Sequence, residues 1–425
     1  MKCLLMNKNK KIALIELNTD YNNIEKIYEI YNIDYAPLSF KNACLNKAEN
    51  KIKILNNWYR GRGIPDWRKD IKLLLDNLHI KSSDELLNQS YALSLSDQYW
   101  IKEENQKIEW ENINFFTNDF KYKGYLNASL NLSDKNEKID LYSPNNTTDG
   151  MLQKAWIIEN NKRLLVKSSY YPPKQEPLNE WLASQISQKL GLNYCDYKID
   201  IINNNIVSKC EDFINENQEI ITAYDILNSE KKDNNTNDLN HYINILNKNG
   251  INDARKKVQD MFLVDYIIMN FDRHLRNFGI IRNVENLKWE NTTPIFDSGE
   301  SMESNKIFKE INFNDGICKF FNNTNKKFSQ LLDYIDLSQY DFNKIKDVPL
   351  LFKNKLKEYQ PYTDISDERI EKIYIGLKNR IDNLIYYQKN THIKHTGTEE
   401  KELLKDPFTK NKNYFEEDEE DEPNI

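Results

Sequence analysis

Asn270-Phe271-Asp272-Arg273-His274-Leu275-Arg276-Asn277-Phe278-Gly279, followed by Pro294-Ile295-Phe296-Asp297-Ser298-Gly299, is the most informative stretch of this 425-residue chain. Four residues separate Asp272 from Asn277, and Asp297 stands twenty residues beyond Asn277, after a segment that reads as one hairpin. An acid at the first position can accept or orient a hydroxyl proton. An amide oxygen and a carboxylate from two loops can hold Mg²⁺, which keeps most of its other positions for phosphate oxygens and water. In so asparagine-rich a chain, Asp-x-x-x-x-Asn alone is a weak signal. Asn270, His274 and Asp297 around it, in a strand–turn setting, give it chemical meaning.

Upstream, Arg163-Leu164-Leu165-Val166 is an apolar-leaning strand that ends in one cation, Lys167. Thirteen residues later Glu180 lies on a helix from Leu178 to Leu190, stopped by Gly191. A strand lysine drawn out of water needs a carboxylate to offset its desolvation, and this pairing is how kinases hold a cation against nucleotide phosphates. Ala155–Ile158 and Arg163–Lys167 read as one hairpin, Tyr194–Ile202 and Ile206–Phe213 as a second. Strand–strand–helix–strand–strand followed by a helical remainder is the order of a two-lobed kinase. That remainder starts near Tyr224 and contains the apolar helix Val258 to Met269. A third hairpin is bracketed by Gly279–Arg282 and Pro294–Phe296, and helices run from Phe328 to Tyr387. The fold expected is α+β, with a small β-rich N-lobe and a helical C-lobe.

Composition excludes several alternatives. The chain has only 11 glycines, so each can be checked in turn. No two are five apart and followed by lysine, which excludes a Walker A loop. Gly61-Arg62-Gly63 begins a G-x-G, but position 66 is aspartate, so the dinucleotide fingerprint is excluded too. The cysteines number five, with no C-x-x-C, the pattern of reduced thiols in a cytoplasmic protein. No apolar run long enough to span a bilayer and no secretory leader are visible. The H-x-x-H pair His392 and His395 lies in a polar stretch and is a weak metal signal. No basic stripe or helix-turn-helix suggests direct nucleic-acid binding. The formal charge of −7 is matched by the seven acids from Glu416 to Glu422, so it describes a tail and not a site.

Residues 1–142 read as an N-terminal accessory region, with ordered segments at Asp66 to His79 and Asp84 to Leu95. Ser143-Pro144-Asn145-Asn146-Thr147-Thr148-Asp149-Gly150 is a turn-rich break. The expected divisions are therefore 1–142, an N-lobe at 143–222, a C-lobe at 223–390 and a disordered acidic tail at 391–425.

N-x-D-R-H-x-x-N with a downstream P-x-(Y/F)-D resembles the signature of the HipA-like serine/threonine kinases. Thr148-Asp149-Gly150, Lys154-Ala155-Trp156, Lys167, Glu176-Pro177-x-Asn179-Glu180 and Cys210-Glu211-Asp212-Phe213 fall in the order that family uses. The resemblance covers roughly residues 143 to 390. Leu95-Ser96-Asp97-Gln98-Tyr99-Trp100 and Asn114-Phe115-Phe116 look like the N-terminal part of stand-alone members. The resemblance implies Asp272 as catalytic base, Asn277 and Asp297 as Mg²⁺ ligands, and Lys167 with Glu180 at the ATP phosphates. It implies Glu211 and Phe213 in the adenine hinge, and Thr147 to Lys154, including Gly150, as the phosphate-covering loop. Asn270 and His274 would support the catalytic loop. Ser143, Thr147 and Thr148 are candidate self-phosphorylation sites. Arg273 and Arg276 could receive an acceptor-site phosphate or simply pack the loop. ATP and Mg²⁺ are the implied cofactors, a protein the substrate, and an antitoxin-like DNA-binding protein the partner. The alternatives are a small-molecule or lipid head-group kinase, and a nucleotide-binding pseudokinase regulator.

Overall fold

Residues 1–18, 22–66, 68, 71–130, 139–148, 150, 152–321 and 324–396 are described by the computed structural model. Trp67, Asp149, Met151 and the acidic run Glu416 to Glu422 lie outside the described residues.

The N-terminal region contains β1 (Lys2–Asn7), β2 (Lys10–Asn18), β3 (Asn23–Ile30), α1 (Leu38–Leu45), α2 (Lys51–Arg60), α3 (Ile71–Leu78), α4 (Ser83–Gln89), β4 (Tyr99–Glu103) and α5 (Lys123–Ser129). Its strands form an antiparallel sheet in the order β3-β2-β1-β4. Helices α3 and α4 are shorter than the sequence pattern suggests. The chain after α4 places Tyr91 and Ala92 at φ 54° and 56°, a left-handed backbone that no α-helix can pass through.

A second antiparallel sheet, β5-β6-β8-β7, comprises β5 (Lys154–Glu159), β6 (Lys162–Lys167), β7 (Lys198–Ile202) and β8 (Asn205–Glu211), with α6 (Glu176–Leu190) inserted after β6. Both hairpins are as expected. Their turns are Asn160-Asn161, at φ 52° and 60°, and Asn203-Asn204, at φ 46° and 65°. Two consecutive left-handed residues make the turn whose twist suits adjoining strands. Asparagine takes the place that glycine fills in most chains.

The remainder is mainly helical: α7 (Ala223–Leu227), α8 (Asp238–Lys248), α9 (Ala254–Ile268), α10 (Val348–Tyr359) and α11 (Asp367–Thr396). These helices share one large core with α6, and α9 is buried along most of its length. The C-lobe also carries two small sheets. One is β11-β10-β9, from β9 (Gln218–Thr222), β10 (Gly279–Asn283) and β11 (Trp289–Thr292); the other pairs β12 (Ile317–Phe320) with β13 (Thr324–Lys327).

Four expectations are corrected. The third hairpin pairs β10 with Trp289–Thr292 and not with Pro294–Phe296. Pro294 has no N–H for a ladder, and Ile295 instead bridges Tyr194. Strand β9, where the sequence pattern predicts no strand, pairs with β10 along its whole length. Gly279 is required there, because a Cβ would lie 2.0 Å from the Ile221 carbonyl oxygen. Between Phe328 and Ile345 the chain makes short 3₁₀ turns and not α-helices; Asp336 and Asp341 accept from Ser338 and Asn343 backbone N–H groups and punctuate it. Helix α11 runs on to Thr396 because neither glycine nor proline interrupts it before Gly397.

The 143–150 break is not a solvated linker. Asn146 donates to the Leu86 carbonyl at 2.9 Å, Ser90 Oγ at 3.2 Å and the Leu141 carbonyl at 2.7 Å, and is buried with Ser143 and Asn145. Asn146 Nδ2 finds backbone carbonyls here while its Oδ1 is buried without a partner among the described residues, so polarity did not mean exposure.

The N-terminal region braces both lobes. Arg163 of β6 donates to the Phe115 and Asn118 carbonyls at 3.0 and 3.1 Å. Gln98 donates to the Gln218 carbonyl beside β9, and Arg282 of β10 donates to Tyr99 Oη at 3.4 Å and to Glu219 at 2.7 Å.

Candidate active site

The site forms where β6, α6, the loop after α9 and the segment after β11 converge. Lys167 closes β6 with its side chain 4% exposed. Its Nζ donates to Glu180 Oε1 at 2.7 Å, Asp297 Oδ1 at 2.8 Å and Tyr197 Oη at 3.3 Å. Burial works to strip the lysine of its proton, but Asp297 and Glu180 outweigh it and hold the ammonium form firmly. The same lysine, helped by Lys154, keeps Asp297 ionised against its own burial. Burial pushes the Glu180 carboxyl up, opposed by Lys167 and by the hydroxyl of Ser208 that donates to Oε2. Ser208 is the cross-strand partner of Lys167 on β8, and Lys154 its partner on β5.

The Glu176-Pro177-Leu178-Asn179-Glu180 segment has three separate tasks. Glu176 accepts the Tyr170 and Tyr171 N–H groups, both at 2.8 Å, and shapes the turn before α6. Asn179 donates to the Gly299 and Ser301 carbonyls at 2.8 and 2.9 Å, anchoring the chain just after Asp297. Glu180, one step further round the helix, faces Lys167. Asp297 itself sits at φ 54°, a left-handed position that short polar side chains tolerate, and its N–H donates to Tyr197 Oη at 3.1 Å.

The loop after α9 leaves the helix through Met269 at φ 52°. Asn270 donates to Asp265 at 2.8 Å and accepts the Asp272 N–H at 3.1 Å, so it positions the acid by both ends of its amide. Arg273 is buried against Asp265 at 2.9 Å; it also donates to the Asn277 and Phe296 carbonyls, at 2.9 and 2.5 Å, and to Ser298 Oγ at 3.1 Å. One guanidinium thus ties the Asp272–Asn277 loop to the Asp297 segment. Of its two readings, packing is the one the structure holds. Arg276 reaches back toward Gly61 of the N-terminal region. Asn277 donates through Nδ2 to the Asp272 carbonyl at 3.1 Å, which leaves Oδ1 as the end available to a cation.

Asp272 faces a lysine and a histidine. Lys319, from β12, ion-pairs with Oδ1, and His274 Nε2 lies 3.8 Å from Oδ2. Glu300 is nearby: burial, then Asp272 and Asp297, push its carboxyl up to about 8.

The hinge and covering-loop residues are spread more widely. Glu211 turns its carboxylate outward to Lys162 at 2.6 Å, away from the site, while the Phe213 ring packs on Phe296 with centroids 5.5 Å apart. Gly150 has φ 99°, and a Cβ there would lie 2.7 Å from Lys154 Nζ. Ser143 and Thr148 are buried, and half-buried Thr147 donates to the Leu93 and Pro144 carbonyls at 2.9 and 3.0 Å. Lys319, Ser208, Tyr197 and Glu300 were not singled out from sequence, since none belongs to the spaced motifs.

Residues 144–346 match the family model of the HipA-like C-terminal domain. Over this segment the chain is similar to the HipA-like C-terminal domain. Over 167 residues the chain is 31% identical to the serine/threonine-protein kinase CtkA of Helicobacter pylori strain J99, a match covering 35% of this chain and 50% of that protein. The chain thus spans about half the length of this curated relative. Among solved structures, Helicobacter pylori CtkA aligns with a TM-score of 0.43 at 22% identity, covering 57% of this chain and 95% of that one. HipA of Shewanella oneidensis MR-1, solved with HipB and operator DNA, aligns with a TM-score of 0.49 at 11% identity, covering 91% and 99%. The HipA-like segment contains every residue of the constellation, from Lys167 to Lys319. No helix among the described residues is long and apolar enough to cross a membrane.

Proposed function

We propose that this chain is an ATP- and Mg²⁺-dependent kinase that transfers the γ-phosphoryl group to a serine or threonine hydroxyl of a protein. The observation that carries this reading is Lys167, held between Glu180 and Asp297 beside a loop that bears Asp272 and Asn277. In the transfer, the acceptor oxygen bonds to phosphorus as the bond to the β,γ-bridging oxygen breaks. Asp272 takes the hydroxyl proton, and ADP leaves. Asn277 and Asp297 suit a magnesium ion: one offers an oriented amide oxygen, the other a carboxylate that Lys167 keeps ionised. Bound there, the ion would neutralise phosphate charge. Lys167 and Lys154, neighbours across β5 and β6, are like charges that an anionic ligand would relieve. Catalysis by positioning and charge neutralisation is general for this chemistry.

Self-phosphorylation and an antitoxin-like DNA-binding partner are part of the same reading. Thr147 is the accessible hydroxyl of the 143–148 turn, while Ser143 and Thr148 require that turn to unfold first. Mass spectrometry after incubation with ATP and Mg²⁺ tests the chemistry. Phosphate added to the wild type and absent from Asp272→Ala is the expected result. Labelled ATP in a cell lysate tests the acceptor: label in protein supports the proposal, and label in a small organic fraction makes the chain a small-molecule kinase. Nucleotide binding without any ATP consumption would make it a regulator.

A further inference from the structure

The cation on Asp272 comes from outside the catalytic loop. Within that loop, the side chain two residues past the acid is His274, whose Nδ1 accepts the Arg276 N–H at 3.2 Å. The permanent charge is supplied by Lys319, 47 positions away in sequence, on the β12–β13 hairpin. The hairpin is fixed from below: Cys318 and Phe321 are buried, and Phe320 packs on Phe262 and Tyr334 with centroids 5.4 and 5.1 Å apart. Lys319 is therefore presented from an anchored element, and its side chain stays 41% exposed while its Nζ pairs with the carboxylate.

The charge around it says what it is for. The groups facing Asp272 are His274 from its own loop, Lys319 from β12, Glu300 from the segment after Asp297, and Tyr171 from the turn before α6. Glu300 feels both Asp272 and Asp297, so a triphosphate brought to this site meets a group of carboxylates. Lys167 and Lys154 both act on Asp297, and Lys319 is the cation paired with Asp272.

We propose that Lys319 is a second phosphate-binding cation, shared between Asp272 and the transferred phosphoryl group. This rests on the kinase reading above. With an ammonium's three donors, Lys319 can keep one on Asp272 Oδ1 and give another to an oxygen of the γ-phosphoryl group as the acceptor oxygen–phosphorus bond forms. It gains and loses no proton. By pairing with Asp272 it also holds the carboxylate in place before substrate arrives.

The test compares full-length wild type, Lys319→Met and Lys319→Arg, using Mg²⁺-ADP and Mg²⁺ with a non-transferable β,γ-imido ATP analogue in calorimetry, together with phosphotransfer kinetics. Lys319→Met should leave ADP affinity within about twofold of wild type while weakening the triphosphate about tenfold. It should lower kcat by about 100-fold or more. Lys319→Arg should restore triphosphate binding in part. Unchanged ADP-to-triphosphate selectivity and unchanged kcat in Lys319→Met would reduce the pair to a surface contact and overturn the proposal. A rise in activity would overturn it as well, making the hairpin an inhibitory clamp. A wild type that neither binds nucleotide nor transfers phosphate overturns the kinase reading with it; an active wild type beside an indifferent variant overturns only this inference.

Discussion

The two sides of the cleft hold their charges differently. On the nucleotide side, Lys167 and Glu180 are 4% and 1% exposed, and each is met by further hydrogen-bonding groups. On the proposed acceptor side, Lys319 and Asp272 are 41% and 25% exposed and form an ion pair. A buried pair depends on both partners, because either one alone is an uncompensated charge in a poor solvent. A half-exposed pair is screened by water and can exchange partners at little cost. The nucleotide side is thus built into the fold, and the acceptor side is left free to rearrange.

The sharpest way to break this contrast is to remove one group from each side. Lys167→Met strands Glu180 and Asp297, and should destabilise the protein by about 3–5 kcal/mol as well as abolish phosphotransfer. Asp272→Asn should cost about 10²–10⁴-fold in kcat and leave the denaturation midpoint near wild type. Urea unfolding of both variants beside a phosphotransfer assay reads the difference directly. Equal midpoints for the two would mean that the nucleotide side is no more part of the fold than the acceptor side.

A smaller effect sharpens the same point. Ser208→Ala removes the hydroxyl that donates to Glu180 Oε2, a hydrogen bond to a charged acceptor in a buried setting. The expected loss is about 1.5–3 kcal/mol, with the Glu180 carboxyl rising further. ATP affinity should fall with stability, since Glu180 is what holds Lys167. A variant as stable as wild type would show that water or Tyr197 already serves Glu180.

The contrast also explains what could be read in advance. Lys167, Glu180, Asp272, Asn277 and Asp297 stand at spacings that local geometry imposes: a strand end, a helix face, a loop of fixed length. The structure brings these five together. The groups that tune them arrive through tertiary contact alone. Ser208 reaches Glu180 because β8 lies beside β6, and Lys319 reaches Asp272 because Phe320 packs on Phe262. Nothing in their local sequence marks them. Strand β9 was missed because Gln218-Glu219-Ile220-Ile221-Thr222 is too short to show alternation, and its pairing with β10 decides its state. The glycine shortage was itself a clue left half-used. Asparagines at Asn160, Asn161, Asn203 and Asn204 adopt the left-handed conformations that turns need, so the abundance of asparagine has structural work to do.

The last predicted effect concerns Glu300, beside Asp272, and depends on pH. Burial and the neighbouring Asp272 and Asp297 raise the Glu300 carboxyl from 4.5 to about 8. A carboxyl raised on folding is protonated in the native state over a range where the unfolded chain has already released its proton. Its contribution to stability is complete below about 4.5 and declines as pH rises, until it is gone above about 8. Glu300→Gln cannot ionise and should escape the decline. The melting temperature of the variant should match wild type near pH 5 and exceed it increasingly toward pH 8, levelling off beyond. Added Mg²⁺-nucleotide should change this difference, because phosphates entering the cleft alter the charge that Glu300 feels. Parallel pH profiles for the two proteins would mean that Glu300 is already ionised, with Lys319 serving it as well as Asp272. The acceptor side would then be as firmly paired as the nucleotide side, and the distinction between them would be lost.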